Sequence, residues 1–206
     1  MKRTFKIKAP LLILLLLTIA MCHAQNRKID SLFKKGSLAI YDHPDQTIKI
    51  CKHILATSKQ DVHNSLTALV MISDAYSSKR DYRKAVEFLI KAQNLSDGLE
   101  DNIVKIRILT KTAVQYQQLS IYDKAVKYLD DAHSIIMDYP VKDSIYSFLG
   151  TNYTVRGFIY KEQLDCNIAI DYFNRGITEY SKIKTRFKNY NLSIVSYNKA
   201  NCYVLL

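Results

Sequence analysis

The segment Asp-Tyr-Arg-Lys-Ala-Val-Glu-Phe-Leu-Ile-Lys-Ala at residues 81–92 returns as Ile-Tyr-Asp-Lys-Ala-Val-Lys-Tyr-Leu-Asp-Asp-Ala at residues 121–132. Upstream of each copy the pattern extends through Leu69, Ile72, Ser73 and Tyr76, and through Leu109, Thr112, Ala113 and Tyr116. A third, looser copy runs Tyr153, Arg156, Gly157, Tyr160, Asn167, Ala169, Phe173 and Gly176. In all three, a small residue leads to Tyr after three positions, Tyr to Ala after nine, and Ala to another small residue after seven. Self-similarity at such a period marks a helical repeat architecture.

Three or four residues make one helical turn, so the first small residue and the Tyr share one face of a first helix. The Ala and the second small residue share one face of a second helix. Small side chains at Ser73, Ala113 and Gly157 let the two helices approach closely. The spacing predicts that Tyr76, Tyr116 and Tyr160 fill the remaining wedge as buried, equivalent rings. It also predicts that Leu89, Leu129 and Phe173 pack toward the next unit. One helical hairpin cannot bury both of its faces, so neighbours must stack.

The pattern resembles the tetratricopeptide repeat, a helix–turn–helix unit, with the units opening at Leu66, Ile106 and Gly150. The resemblance implies an all-α solenoid of helical hairpins in a right-handed superhelix, of nine to ten helices. Three departures stand out. The Trp usual at the fourth position is Leu69, Leu109 and Tyr153; the Gly of the inner turn is Arg80, Ser120 and Leu164; the closing Pro is Asp97, Met137 and Ser181. The key alanines at 85, 125 and 169 are spaced more widely than the minimal unit requires, so the connections between units are longer.

On this frame residues 25–60 form a degenerate capping repeat, residues 61–189 three repeats, and residues 190–206 the first helix of an incomplete further one. In the cap, Ile29 to Tyr41 reads as a helix, and Pro44 opens a second behind Asp42 or His43. Its apolar stripe is Ile48, Cys51, Ile54 and Leu55, and it lacks the family's small residues. In the last segment Ala200 and Tyr203 stand ready for a second helix, and Val204, Leu205 and Leu206 end the sequence without a polar cover. The expectation is a reading frame shorter than its relatives, or an end covered by a partner, with self-association through residues 190–206.

Residues 1–24 have the organisation of a secretory signal: Lys2, Arg3, Lys6 and Lys8, then an apolar run from Leu11 to Met21, then Ala24. Cleavage after Ala24 would leave Gln25 first. Cys22 raises a lipoprotein alternative, although Met21 is bulky for the position before a lipidated cysteine; an uncleaved anchor is the third reading. Each places the repeats outside the cytoplasm, in a periplasmic or other extracytoplasmic compartment.

Removal of the leader takes four of the net +11 charges. Most of the remaining excess is spread singly along helices. The cluster Lys182, Lys184, Arg186 and Lys188 falls between units and reads as a solvated linker, with no nucleic-acid motif beside it. Cys51, Cys166 and Cys202 have no paired spacing and are expected as buried free thiols. No His-Glu-x-x-His, nucleophile elbow or paired catalytic carboxylates occur, and the five glycines form no phosphate-cradling loop. Hence no enzyme, cofactor or metal is expected.

In the family that the chain resembles, the concave surface is built from first helices. Here that surface offers Thr67, Val70, Met71 and Asp74, then Arg107, Thr110, Lys111, Val114 and Gln118, then Thr151, Thr154, Val155 and Phe158. Arg107 and Lys111, four apart, share a helix face suited to a carboxylate. The partner-binding candidates are Arg107, Lys111, Val114, Gln118, Thr154 and Phe158. The family's clamp for a C-terminal carboxylate is not supplied by Val70, Asp74, Lys111, Thr151 and Val155. The function read from this is an exported scaffold for a protein or peptide. An alternative comes from a second resemblance, resting on the stretch Tyr41 to Ile50 before regular repeats. The chain is similar to the N-terminal half of regulators that continue into a membrane helix and an AraC- or LuxR-type helix-turn-helix, neither of which lies in these 206 residues.

Overall fold

The computed structural model describes residues 27–58, 61–140, 143–185 and 188–206. The leader and Arg186 of the basic cluster lie outside them. Among the described residues there are nine helices and no strand. They are α1 (27–39), α2 (Pro44–Thr57), α3 (Val62–Ser78), α4 (Tyr82–Ser96), α5 (Asn102–Gln118), α6 (Tyr122–Met137), α7 (Asp143–Glu162), α8 (Cys166–Ser181) and α9 (Lys188–Leu205). Adjacent helices pack as sequential antiparallel pairs, an arrangement consistent with a helical-repeat fold.

The starts of these helices are chemically legible. Asp61, Asp81, Asp101 and Asp165 each accept a hydrogen bond from a backbone N–H in the following first turn, at 2.9, 3.2, 3.1 and 3.2 Å. Each thereby satisfies one of the donors that a helix start leaves open. Hydrogen bonds from the Lys84 side chain and backbone hold the Asp81 carboxyl below its ordinary range. Ile121 stands in the corresponding place before α6 and provides no side-chain cap. His43, not Asp42, precedes Pro44 at the start of α2, also without a side-chain bond.

The turns inside the three hairpins share one backbone geometry. Arg80, Ser120 and Leu164 have positive φ of 60°, 57° and 64°. In each turn two backbone bonds close the preceding helix. The N–H of Asp81, Ile121 and Asp165 donates to the carbonyl of Tyr76, Tyr116 and Tyr160, each at 2.9 Å. The N–H of Arg80, Ser120 and Leu164 donates to Ser77, Gln117 and Lys161. This is the left-handed helix stop that favours glycine, built here with three L side chains. The left-handed conformation costs such residues roughly 1–2 kcal/mol. Leu164 is 80% exposed, so its side chain contributes little packing in return. Leu164→Gly is therefore expected to stabilise the chain by about 0.5–1 kcal/mol after the added flexibility of the unfolded glycine is counted. A denaturant midpoint that moves to higher concentration at unchanged slope would verify it.

Packing within the hairpins follows paired volumes. Ser73, Ala113 and Gly157 are buried in the first helices, and Leu89, Leu129 and Phe173 are fully buried in the second. Where the small residue is smallest its counterpart is largest: a Cβ at Gly157 would lie 2.5 Å from the Phe173 ring. Leu89 packs with Ile108 of α5, Leu129 with Val155 and Ile159 of α7, and Phe173 shares a cluster with Val195 and Cys202 of α9. Ala85, Ala125 and Ala169 are fully buried, as are Ala92 and Ala132.

Two expectations need correction. Tyr76, Tyr116 and Tyr160 are half-buried rather than buried. Each lies face to face with an aromatic ring of the second helix: Tyr76 on Phe88, Tyr116 on Tyr128 and Tyr160 on Tyr172, with centroids 5.5, 5.5 and 5.4 Å apart. The rings close the hairpin edge instead of filling its interior, because the small residues already bring the helices together. The first unit also does not lack small residues. Gly36 and Ala39 of α1 are buried, and Thr47 of α2 donates to the Gly36 carbonyl at 2.8 Å. In α9, Val195 and Cys202 face inward, while Tyr197, Ala200, Tyr203, Val204 and Leu205 are exposed, as is Leu206 just after the helix.

Candidate functional site: the groove between α3 and α5

Helices α3 and α5 are the first helices of consecutive hairpins, and a cavity of about 260 Å³ separates them. Leu66, Val70 and Met71 from α3 and Val104 and Ile108 from α5 give it an apolar floor. His63, Thr67 and Asp74 on one side and Arg107 and Lys111 on the other form a polar rim. The helical period explains the division: on α5, positions 104, 107, 108 and 111 make one stripe, as do 63, 66, 67, 70, 71 and 74 on α3. Drug-sized ligand pockets span roughly 300–1,000 Å³. A space slightly smaller than that, open along two helices, matches one or two side chains of a larger molecule.

The rim is not uniformly basic. Lys111 Nζ donates to Asp74 Oδ1 at 2.6 Å across the groove, and both side chains are about one-third exposed. The two-cation face expected of Arg107 and Lys111 is thus divided: Lys111 is neutralised by Asp74. Arg107 is exposed on the same stripe and has no carboxylate within ion-pairing distance among the described residues.

The other candidates lie elsewhere. Val114 is half-buried against the cluster of Ala113, Leu129, Val155 and Ile159. Gln118 is exposed and donates to Gln117 Oε1 at 2.8 Å. Gln117 in turn donates to Glu162 Oε1 at 3.0 Å, and Tyr122 donates to Glu162 Oε2 at 2.7 Å. This polar network ties the end of α5 and the start of α6 to the end of α7. Thr154 is buried, with its hydroxyl donating to the Gly150 carbonyl at 2.7 Å. Phe158 stands edge-on to Phe173 with centroids 5.6 Å apart. The structure therefore brings Arg107 and Lys111 together with Thr67, Val70, Met71 and Asp74, but not with Thr154 and Phe158. Helices α5 and α7 pack directly through Val155 and Ile159, so the groove does not continue between them. His63, Leu66, Val104 and Ile108 were absent from the candidates; the apolar spacing of the last three on α3 and α5 was a usable signal, but it is the same spacing as that of a core.

A polar network running from buried Asn152 to exposed Asp130 joins α6 and α7. Asn152, fully buried, donates to the Leu129 carbonyl at 2.7 Å and accepts from Arg156 Nε at 3.0 Å, while Arg156 Nη2 reaches Asp130 Oδ1 at 2.6 Å. Every member has a partner, which makes this a structural tie. Among the described residues no group of three or more His, Cys, Asp or Glu side chains is placed to hold a metal ion, and no helix is long and apolar enough to cross a membrane. Neither known family models nor curated proteins match the chain.

Proposed function

We propose that this chain is an exported, non-enzymatic scaffold of tetratricopeptide-like hairpins in a right-handed superhelix, and that it holds a peptide or protein segment in the groove between α3 and α5. The observation that carries the reading is the combination of an apolar floor with Arg107, exposed at its rim and without a carboxylate partner among the described residues. An apolar side chain of the partner enters between Val70 and Ile108. A neighbouring carboxylate meets the Arg107 guanidinium, whose planar fork suits two-point contact with a carboxylate. The Lys111–Asp74 pair neutralises one of the two cations on the rim and so disfavours strongly acidic segments.

Selection from a displayed peptide library on the purified chain tests this. Selected peptides are expected to carry an aliphatic or aromatic residue beside an Asp, a Glu or a terminal carboxylate. Arg107→Glu is expected to weaken them by at least roughly 10–100-fold, since it removes the charge-assisted contact and sets two negative charges together. Lys127→Glu, exposed on α6, is the control and should change little. A selection that enriches no peptide, or binders indifferent to Arg107 and Val70, would refute the assignment.

A further inference from the structure

The last hairpin closes around two thiols. Cys166 is the first residue of α8, and Cys202 lies in the last turn of α9. The two helices run antiparallel, and the midpoint between positions 166 and 202 falls at residue 184, inside their connection. The hairpin register therefore sets the two cysteines opposite each other. Both are buried, 3% and 0% exposed, in one apolar cluster with Phe173 and Val195. The two thiols are near enough for the Cys166 side chain to act on the Cys202 thiol. One turn before Cys202, Asn198 Oδ1 accepts from Lys161 Nζ at 2.6 Å, which pins α9 against the end of α7 just ahead of Cys166. Cys51 differs: it is buried in the cluster formed by α1, α2 and α3, with no second cysteine there among the described residues.

We propose that Cys166 and Cys202 form a disulfide that fastens α9 to α8 when the chain meets an oxidising thiol couple. The oxidant is another disulfide, of a small thiol such as glutathione or of a protein dithiol catalyst. The thiolate of one cysteine attacks it, giving a mixed disulfide and one released thiol. The thiolate of the other then attacks the protein sulfur of that mixed disulfide and expels the second thiol. Two protein thiols are oxidised, one disulfide is reduced, and the two protons lost by the cysteines end on the released thiols. Burial foremost, and then the Cys166 side chain, push the Cys202 thiol up to about 11, partly opposed by Lys161, so exchange awaits opening of the hairpin. Only Val195 and Cys202 of α9 are buried, which makes this helix the readiest to open locally. The inference is independent of the groove between α3 and α5.

The test uses the full chain, reduced, then equilibrated under native conditions with oxidised glutathione, alkylated, and digested without reduction. Mass spectrometry is expected to find Cys166 and Cys202 joined, with Cys51 alkylated only after unfolding. Because the bond closes a long loop, the oxidised form should melt higher by about 5–10 °C. Cys51→Ala should keep both the link and the shift, and Cys202→Ala should lose both. The proposal is overturned if the two thiols stay free, if they pair instead with Cys22, Cys51 or glutathione, or if the link forms and leaves the melting temperature unchanged or lower.

Discussion

Gly157→Ala is expected to destabilise the chain, although alanine is the better helix former. The new Cβ would meet Cε1 and Cδ1 of Phe173 at 2.5 and 2.6 Å and Cζ at 3.1 Å. The ring cannot swing away freely, because Phe173 is fully buried and touches Phe158 edge-on. Overpacking of this kind costs about 1–3 kcal/mol, and the helix-propensity gain of roughly 1 kcal/mol offsets only part of it. Phe173→Leu alone should also destabilise, by leaving a cavity. The double variant re-creates the pairing that Ala113 and Leu129 already make one unit earlier, and both of those residues are fully buried. It should therefore be more stable than the sum of the single effects by at least about 1 kcal/mol. Chemical denaturation of the four proteins decides the matter: strict additivity would mean that the two positions do not share a contact.

Ala125→Leu is expected to cost roughly 1–3 kcal/mol, whereas Lys127→Leu on the same helix should be near neutral. Ala125 is fully buried within the cluster of Ala113, Leu129, Val155 and Ile159, where the added carbons have no room. Lys127 is exposed. Melting curves of the two variants, compared with the parent, separate the faces of α6; equal shifts would contradict the observed packing.

Much of the hairpin geometry was legible because it is local. Four helix starts follow aspartates that cap them, and the small and large positions recur at turn-length spacing. The aromatic partners Phe88, Tyr128 and Tyr172 were equally available, three residues after each key alanine. They went unread because an aromatic residue at helical spacing looks like ordinary core. The inner turns were visible only as departures from glycine. Arg80, Ser120 and Leu164 nonetheless adopt the left-handed conformation, since the two backbone bonds that end each helix there outweigh the strain of a side chain. Local composition ranks such a conformation as unfavourable and cannot report the bonds that impose it.

The sequence by itself determined the period, the order of first and second helices, and which faces are small, large or charged, because these depend on residues within one or two turns of each other. Tertiary structure alone decided that a groove opens between α3 and α5 and is filled between α5 and α7, where Val155 and Ile159 close the space. It also decided that Lys111 is spent on Asp74, leaving Arg107 without an ion-pair partner among the described residues, and that Cys166 and Cys202, far apart in the chain, share one buried cluster. Each of these rests on how closely two helices approach. That distance is set by side-chain volumes contributed from separate segments, which no local spacing encodes.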